Sequence, residues 1–146
     1  GHTSIITHLD WSTSNQYLRS NSGDHEVFFW SAKACKPLTS SDLIRDIEWA
    51  TDRCTLSFHV MGIWPEGSDG SDISSVDRSN DSELVATSDD YGTVKLFRFP
   101  CSQPKALYNA YSGHSSHVSN VRFLNNDSRL LSTGAKDSSI FQWIVA

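Results

Sequence analysis

Six histidines are the residues of this 146-residue chain best suited to chemistry. Two of them, His114 and His117, flank Ser115 and Ser116, and a hydroxyl beside an imidazole is the combination that nucleophilic catalysis uses. The chain nevertheless contains no Gly-x-Ser-x-Gly elbow and no glycine-rich phosphate loop. Because closeness in sequence does not make a catalytic triad, we favour a structural role for His114 and predict that the chain is not an enzyme.

The sequence offers little to a metal ion or an organic cofactor. None of the histidines is spaced with the three cysteines as a zinc site requires. Asp69 and Asp72 flank Gly70 in a way that suggests calcium, but the segment lacks the alternating oxygen ligands and the closing Glu of an EF-hand loop. We therefore predict a turn at this place, and neither a metal nor a cofactor.

The histidines recur within a repeated pattern of strands and turns. From Gly113 onward the order is a Gly-His, an alternating apolar run, a polar turn, a second apolar run with a Ser or Thr, and an Asp six residues before a Trp. This order is typical of one blade of a β-propeller. Three copies keep the same distance of 24 or 25 residues from the first alternating apolar residue to the closing aromatic residue. They run from Ile6 to Trp30, from Ile73 to Phe97 and from Val118 to Trp143.

The predicted fold class is therefore all-β: a partial β-propeller with about three WD40-type blades of antiparallel strands. The whole chain, 1–146, is predicted to be a single propeller segment with blades at 1–40, 73–111 and 113–146 and an inserted junction at 41–72. A blade buries its faces only against neighbouring blades, and closed propellers have about 4 to 8 blades. We therefore expect this segment to belong to a larger propeller and to have its other blades as partners.

A buried hydrogen-bond network explains why the same polar residues recur. A buried His needs partners for both ring nitrogens, and a turn Asp can satisfy one while a Ser or Thr hydroxyl joins the other to a Trp indole. The predicted members in the first blade are His2, Ser20, Asp24 and Trp30. Those in the last blade are His114, Thr133, Asp137 and Trp143. The middle blade lacks both the Gly-His and the Trp.

The junction is too apolar for a solvated loop. Leu56, Phe58 and Val60 alternate with polar residues, so we predict an extra strand there, followed by a defined turn from Trp64 to Gly70. Trp64 is predicted to wedge the junction against the neighbouring blade, and its alternative role is an aromatic anchor for a partner. Two exposed aromatic residues elsewhere have the same two readings, packing between blades or interaction with a partner: Tyr91 and Tyr111.

The charge and cysteine content limit the partners and the compartment. The net charge is −5 and the twelve basic residues are scattered, which argues against a broad nucleic-acid or membrane surface. Three widely separated cysteines suit a reducing compartment better than a disulfide framework. We therefore predict a cytoplasmic protein that binds neither nucleic acid nor membrane.

At the repeated positions the chain resembles the WD40 repeat family over nearly its whole length. Several stretches look like the C-terminal repeats of the echinoderm microtubule-associated protein-like (EML) family: residues 1–12, 20–24, 62–73 and 114–118. The segment Trp64-Pro65-Glu66-Gly67 is the specific part of this resemblance, because generic WD40 blades do not have it. The resemblance implies one of two joined, atypical propellers in a cytoskeletal protein that associates with microtubules and tubulin.

Two functions stay open from the sequence. The first is a noncatalytic module that binds tubulin or microtubules, and the alternative is a generic WD40 scaffold that docks peptides of another complex. Microtubule surfaces are strongly acidic and would repel an acidic segment at long range. We therefore expect a basic attachment region elsewhere in the parent protein for the polymer, while a local, shape-based contact stays open for free tubulin.

Overall fold

The computed structural model describes all 146 residues, and its strands form three antiparallel sheets. The first blade contains, in spatial order, β1 (Ile6–Trp11), β2 (Tyr17–Ser22), β3 (Val27–Ser31) and β4 (Lys36–Pro37). The second contains β5 (Ile73–Arg78), β6 (Leu84–Asp89), β7 (Thr93–Arg98) and β8 (Tyr108–Ser112). The third contains β9 (Val118–Phe123), β10 (Arg129–Gly134) and β11 (Ile140–Ile144). The all-β class and the three blades predicted from the sequence are confirmed.

The first two strands of every blade are joined by the same kind of tight turn. Each turn contains one non-glycine residue in the left-handed region, with φ of 58° at Asn15, 60° at Ser82 and 55° at Asp127. Short polar side chains tolerate this conformation because they hydrogen-bond the local backbone. The recurrence of one unusual dihedral angle at equivalent positions indicates that the three copies share one hairpin geometry.

The chain divides into two compact units, Gly1–Ser57 and Phe58–Ala146. The first unit holds the first blade and the beginning of the junction, which includes the short helix α1 (Ser41–Arg45). The second unit holds the rest of the junction and the other two blades. None of the helices is long and apolar enough to cross a lipid bilayer.

The strand predicted around Leu56, Phe58 and Val60 is wrong. The segment Phe58–Ile63 is a 3₁₀ helix, in which residues three apart share one face. Val60 and Ile63 have this spacing and are buried, whereas Phe58 is 73% exposed. The helix thus buries its apolar side chains against the second blade, and it does not pair with a strand.

The outer strand of the first blade, β4, is only two residues long. Only Lys36 and Pro37 pair with β3, opposite Ser31 and Trp30. Proline has no backbone N–H to donate, which limits the pairing at Pro37, and the Leu38 N–H makes one further hydrogen bond to Phe29 O at 2.8 Å. The second blade, whose β8 carries no proline, pairs its outer strand over five residues.

Both faces of the second blade are covered by apolar residues of its own unit. On one face the 3₁₀ helix and its flanks pack against the sheet in a cluster of Val60, Ile63, Ile73, Val76, Val85, Phe97 and Cys101. On the other face β9 and β10 pack against it in a cluster of Ala86, Val94, Val118, Val121, Phe123 and Leu130. A blade sheet is therefore stable here because each apolar face has a neighbour that excludes water.

Gly62 allows the 3₁₀ helix to approach the main chain after β7. A Cβ atom at Gly62 would lie 2.3 Å from the carbonyl oxygen of Gln103 and 2.8 Å from that of Cys101. We expect Gly62→Ala to lower the free energy of unfolding by about 1–3 kcal/mol, because the main chain must move to admit a methyl group. Urea unfolding would measure the loss, with Met61→Ala, at a half-exposed neighbour, as the matched control expected to cost less than about 1 kcal/mol. Equal midpoints for the two variants would contradict the close approach.

Candidate functional site

The four residues predicted as the network of the first blade lie together. His2 Nδ1 is 3.0 Å from Asp24 Oδ2, and His2 Nε2 is 2.8 Å from Ser20 Oγ. The indole Nε1–H of Trp30 donates to the same Ser20 Oγ at 2.9 Å. Because the serine oxygen accepts from the indole, its own hydrogen is available to donate to His2 Nε2, which assigns the Nδ1–H to the aspartate. Both ring nitrogens of His2, the Ser20 hydroxyl and the Trp30 indole N–H then have hydrogen-bond partners.

The third blade repeats this arrangement with one correction. His114 Nδ1 is 3.1 Å from Asp137 Oδ2, and His114 Nε2 is 2.8 Å from Ser132 Oγ. Trp143 Nε1–H donates to Ser132 Oγ at 2.8 Å. The prediction that Thr133 supplies this hydroxyl is wrong, because Thr133 Oγ1 lies on the other face of β10, 2.9 Å from Ser119 Oγ.

The hairpin length explains why the sequence pointed to Thr133. The residue that pairs with the tryptophan precedes it by 12 positions in the first blade, Leu18 to Trp30, and by 13 in the third, Leu130 to Trp143. Counting ten residues back from the tryptophan therefore gives the correct serine in the first blade and its neighbour in the third. Since side chains alternate between faces along a strand, a shift of one residue moves the hydroxyl to the wrong face.

Two aspartates anchor these networks as carboxylates. Burial raises the pKa of Asp24, but hydrogen bonds from the Ser22 hydroxyl, the Thr3 and Glu26 main chain and His2 outweigh burial and lower it. The pKa of Asp137 is lowered in the same way: burial raises it, and hydrogen bonds from the main chain and hydroxyl of Ser139, from His114 and from the Ser115 main chain outweigh that effect. Each network therefore depends on an ionised carboxylate.

Both ring nitrogens of His2 and His114 contact structural partners, and His114 is buried. His117 lies outside the networks, with its Nδ1 3.2 Å from Asp90 Oδ1. No group of three or more His, Cys, Asp and Glu side chains converges as a metal site would require.

The second blade replaces three members of the network. Tyr91 stands six residues before Phe97, where the other blades have an aspartate before a tryptophan, and Asp69 stands four residues before β5, where they have a histidine. The hairpin is held by Asp89, whose Oδ1 accepts the main-chain N–H groups of Tyr91 at 3.0 Å and Thr93 at 2.9 Å. The turn consequently keeps its shape while the side chain at the aspartate position is released.

Tyr91 is the exposed aromatic residue of this turn. It is 76% exposed, and its hydroxyl lies 3.5 Å from Asp72 Oδ1. Asp72 raises the pKa of Tyr91, and partial desolvation and the nearby Asp69 and Asp90 add to the effect. An aromatic ring thus stands at the surface among three carboxylates.

The other two aromatic candidates pack within the second unit. Trp64 is half-buried against the core cluster that contains Val60 and Ile63, which is the wedge position. Tyr111 is 43% exposed, and its ring centroid lies 6.1 Å from that of Trp143. Of the three candidates, Tyr91 is the one whose ring faces solvent.

A buried ion cluster in the first unit has no counterpart in the repeat pattern. Arg19 Nε lies 2.9 Å from Asp10 Oδ2, and Arg19 Nη2 lies 2.6 Å from Asp52 Oδ1. All three residues are at most 2% exposed. The guanidinium carbon also lies 4.5 Å from the ring centroid of Trp49, as in a cation–π contact.

The charges of the cluster support one another. Burial raises the pKa of Asp10, but the Arg19 guanidinium and hydrogen bonds from Thr51, Arg53 and Cys54 lower it overall. Burial lowers the pKa of Arg19, but the carboxylates of Asp10 and Asp52 raise it overall. Asp10 and Arg19 face each other in the β1–β2 register, so their pairing was readable from the hairpin, whereas Asp52 lies 33 residues from Arg19 and gave no signal.

Comparison with known proteins gives one consistent family. The family model described as "Echinoderm microtubule-associated protein second beta-propeller" matches residues 1–145. "Echinoderm microtubule-associated protein-like 1" of Homo sapiens is 59% identical over 145 residues, which cover 99% of this chain and 18% of that protein. "Echinoderm microtubule-associated protein-like 2" of Rattus norvegicus is 54% identical over 146 residues, which cover 100% of this chain and 22% of that protein. The chain therefore spans about a fifth of the length of these relatives.

Solved structures at low sequence identity share the fold. A chain of "Crystal Structure of Mitotic Checkpoint Complex" matches with a TM-score of 0.69 and 16% identity, over 99% of this chain and 50% of that one. A chain of "Crystal structure of RRP9 WD40 repeats" matches with a TM-score of 0.50 and 20% identity, over 99% of this chain and 37% of that one. The predicted partial propeller is confirmed.

The serine of the third blade provides a direct test of the corrected network. We expect Ser132→Ala to lower the free energy of unfolding by about 1–3 kcal/mol, because His114 Nε2 and the Trp143 indole both lose their partner. The adjacent Thr133→Ala is the matched control, expected to change the free energy of unfolding by no more than about 0.5 kcal/mol, because the Thr133 hydroxyl contacts the exposed Ser119 on the opposite face of β10. Thermal or urea unfolding of both variants checks the difference, and a larger loss for Thr133→Ala would restore the original assignment.

The lowered pKa values of Asp24 and Asp137 predict a direction for the pH dependence of stability. A carboxylate with a depressed pKa in the folded state stabilises the fold above its unfolded pKa, which is about 3.9, and loses that contribution as the pH falls through its folded pKa. We therefore expect the melting temperature to fall as the pH is lowered from about 5 to about 2, a range that begins just above the unfolded pKa of an aspartate. Asp24→Asn should melt lower at pH 7 and show a flatter acid dependence, and an unchanged slope would contradict this role of Asp24.

Proposed function

Because this chain belongs to the echinoderm microtubule-associated protein-like family, we propose that it is a noncatalytic interaction module that binds tubulin or microtubules as part of a tandem propeller. The observation that carries this proposal is the family match over residues 1–145. The relatives are named as microtubule-associated proteins, which supports a cytoskeletal, cytoplasmic location for this chain.

The histidine networks support the noncatalytic part of the proposal. The two blade-opening histidines, His2 and His114, each place one ring nitrogen on an aspartate and the other on a serine of their own blade. An Asp–His–Ser chain is also the arrangement of a catalytic triad, but Ser20 and Ser132 are 1% and 0% exposed, and each accepts a tryptophan indole N–H, so neither hydroxyl is open to a substrate. The same side chains instead make the blade turns rigid, which suits a surface that presents contacts to a partner.

The turn around Tyr91 is the proposed contact. In the first and third blades the residue at this position, Asp24 or Asp137, is held inside the network. In the second blade Asp89 holds the hairpin instead, so the side chain of Tyr91 is not needed for the turn. A rigidly held, exposed aromatic ring gives a large contact area at a low cost in side-chain entropy. Tyr91 thus combines exposure with a well-defined backbone, which are the two properties of an interface anchor.

The charge around Tyr91 limits what it binds. Asp72 contacts the Tyr91 hydroxyl, and Asp69 and Asp90 add to the negative potential there, so this turn favours a basic patch or a basic peptide on the partner. The acidic outer surface of a microtubule would be repelled by it and by the net charge of −5. We therefore propose that this segment makes a local contact with tubulin and that long-range attraction to the polymer comes from a basic region elsewhere in the parent protein.

A generic WD40 scaffold is the second candidate, and the same acidic turn favours it. A basic peptide of another complex would fit the Tyr91 turn as well as a basic patch on tubulin would. Recovery of partners by the intact parent protein from cell extract separates the two: tubulin as the main partner supports the first candidate, and loss of tubulin with retention of another complex supports the second.

We expect Tyr91→Ala in the intact parent protein to weaken the binding of free tubulin by about tenfold or more, as truncation of a central aromatic anchor does. Sedimentation or fluorescence titration with purified tubulin measures the change, and added salt should weaken the wild-type complex because the contact is proposed to pair carboxylates with basic groups. Leu107→Ala, at a residue that is 92% exposed and outside the turn, is the control expected to leave binding unchanged. Equal affinities for Tyr91→Ala and Leu107→Ala would discard the turn as the contact.

A further inference from the structure

Residues 48–57, which we name the strap, cross one face of the first blade without forming a helix or a full strand. We propose that Arg19 locks the strap onto this face and that loss of its guanidinium releases the strap as a local unit. The inference is independent of the proposed tubulin contact, because it concerns the first unit alone.

The strap takes the position that a neighbouring blade takes elsewhere in the molecule. Asp77 lies four residues into β5 from Ile73, and its Oδ2 accepts the main-chain N–H of Phe123 in β9 at 2.9 Å. Asp10 lies at the same place in β1, but its carboxylate accepts the main-chain N–H groups of Arg53 at 2.9 Å and Cys54 at 3.0 Å. The strap therefore covers the face that a strand of the next blade covers in the second unit.

The contacts of the strap change in kind along its length. At its start two main-chain hydrogen bonds reach the end of β1, from Thr13 N–H to Glu48 O and from Ala50 N–H to Trp11 O, each at 2.9 Å. From Thr51 onward the attachment passes through side chains: Thr51 Oγ1–H donates to Asp10 Oδ1 at 2.5 Å, and Arg19 Nη2–H donates to Thr51 O at 3.2 Å. Five residues of the strap are also buried: Trp49, Asp52, Cys54, Thr55 and Ser57. The strap is thus held by packing and by side-chain hydrogen bonds rather than by a continuous main-chain ladder.

Arg19 is the part of this attachment that the others depend on. Its guanidinium lies between the buried carboxylates of Asp10, on the blade, and Asp52, on the strap. Without the guanidinium these two groups would be like charges in a site of low dielectric, where an uncompensated charge is strongly unfavourable. The arrangement relieves that repulsion most readily by moving Asp52, and the strap with it, away from the blade.

Cys54 is a built-in reporter of strap opening. It is completely buried, and its Sγ lies 3.8 Å from the main-chain oxygen of Arg19. Burial raises the pKa of its thiol strongly, and Asp10 adds to the effect, so the closed strap holds the thiol inaccessible and protonated. Cys101 is buried in the core of the second unit, and Cys35 is exposed, so the three cysteines report three different environments.

The test is alkylation of the whole 146-residue chain and of its intact parent with iodoacetamide, followed over time at each cysteine by mass spectrometry. We expect Arg19→Met to speed alkylation of Cys54 by at least about tenfold, while Cys101 keeps its wild-type rate. Arg45→Met is the matched control, because Arg45 pairs with the exposed Asp42 and Asp46 at the surface of α1 and should leave Cys54 unchanged.

A second variant separates strap opening from general unfolding. Asp52→Asn removes one carboxylate and keeps the Arg19–Asp10 pair, so Cys54 alkylation should rise less than in Arg19→Met, again with no change at Cys101. A parallel rise at Cys54 and Cys101 in both variants would show that the first unit does not open locally, and the proposal would be overturned. Unchanged alkylation of Cys54 in Arg19→Met would overturn Arg19 as the lock.

Discussion

The interaction on which the rest of the structure depends is a serine hydroxyl that joins a histidine to a tryptophan inside a blade. Ser20 does this in the first blade and Ser132 in the third. An ionised aspartate completes each chain at the hairpin turn, so the turn, the opening segment and the third strand of the blade are fixed to one another. In a site of low dielectric such a network is favourable only when every member is satisfied, and here each one is. The same network fixes the histidine side chains inside the blade and gives the blade a well-defined shape.

The second requirement is that neighbouring segments cover both faces of the second blade and one face of the first. In the second unit the 3₁₀ helix covers one face of the second blade, and β9 and β10 cover the other. In the first unit the segment after α1 covers one face, where Trp49 lies 5.9 Å from Phe29 between ring centroids and Asp10 binds two main-chain N–H groups. The junction is apolar because its side chains cover these faces. A solvated loop in its place would leave the faces exposed to water.

Local patterns in the sequence predicted most of the architecture, because a strand and its tight turn depend on neighbours a few residues away. The alternation of apolar residues placed all three blades, and the recurrent Gly-His and Asp-to-Trp spacing placed seven of the eight network residues: His2, Ser20, Asp24, Trp30, His114, Asp137 and Trp143.

Thr133 was misplaced because the third hairpin is one residue longer, and hairpin length is decided by turn geometry rather than by the apolar pattern. The 3₁₀ helix at Phe58–Ile63 was taken for a strand because three alternating residues are too few to separate the two periods. The Arg19 cluster could not be foreseen as a whole, since Asp52 meets Arg19 only through the path of the junction in three dimensions.

The central claim is that the tryptophan indoles of the first and third blades are held by buried serines, and hydrogen exchange of the indole N–H groups followed by NMR tests it most directly. Trp30 and Trp143 donate to Ser20 and Ser132, whereas Trp11 is 48% exposed and makes no such contribution to a network. The account predicts slow exchange for the indoles of Trp30 and Trp143 and exchange close to that of a free indole for Trp11. Equally fast exchange at all three positions would contradict it, because the indole N–H groups would then not be held by serine hydroxyls inside each blade.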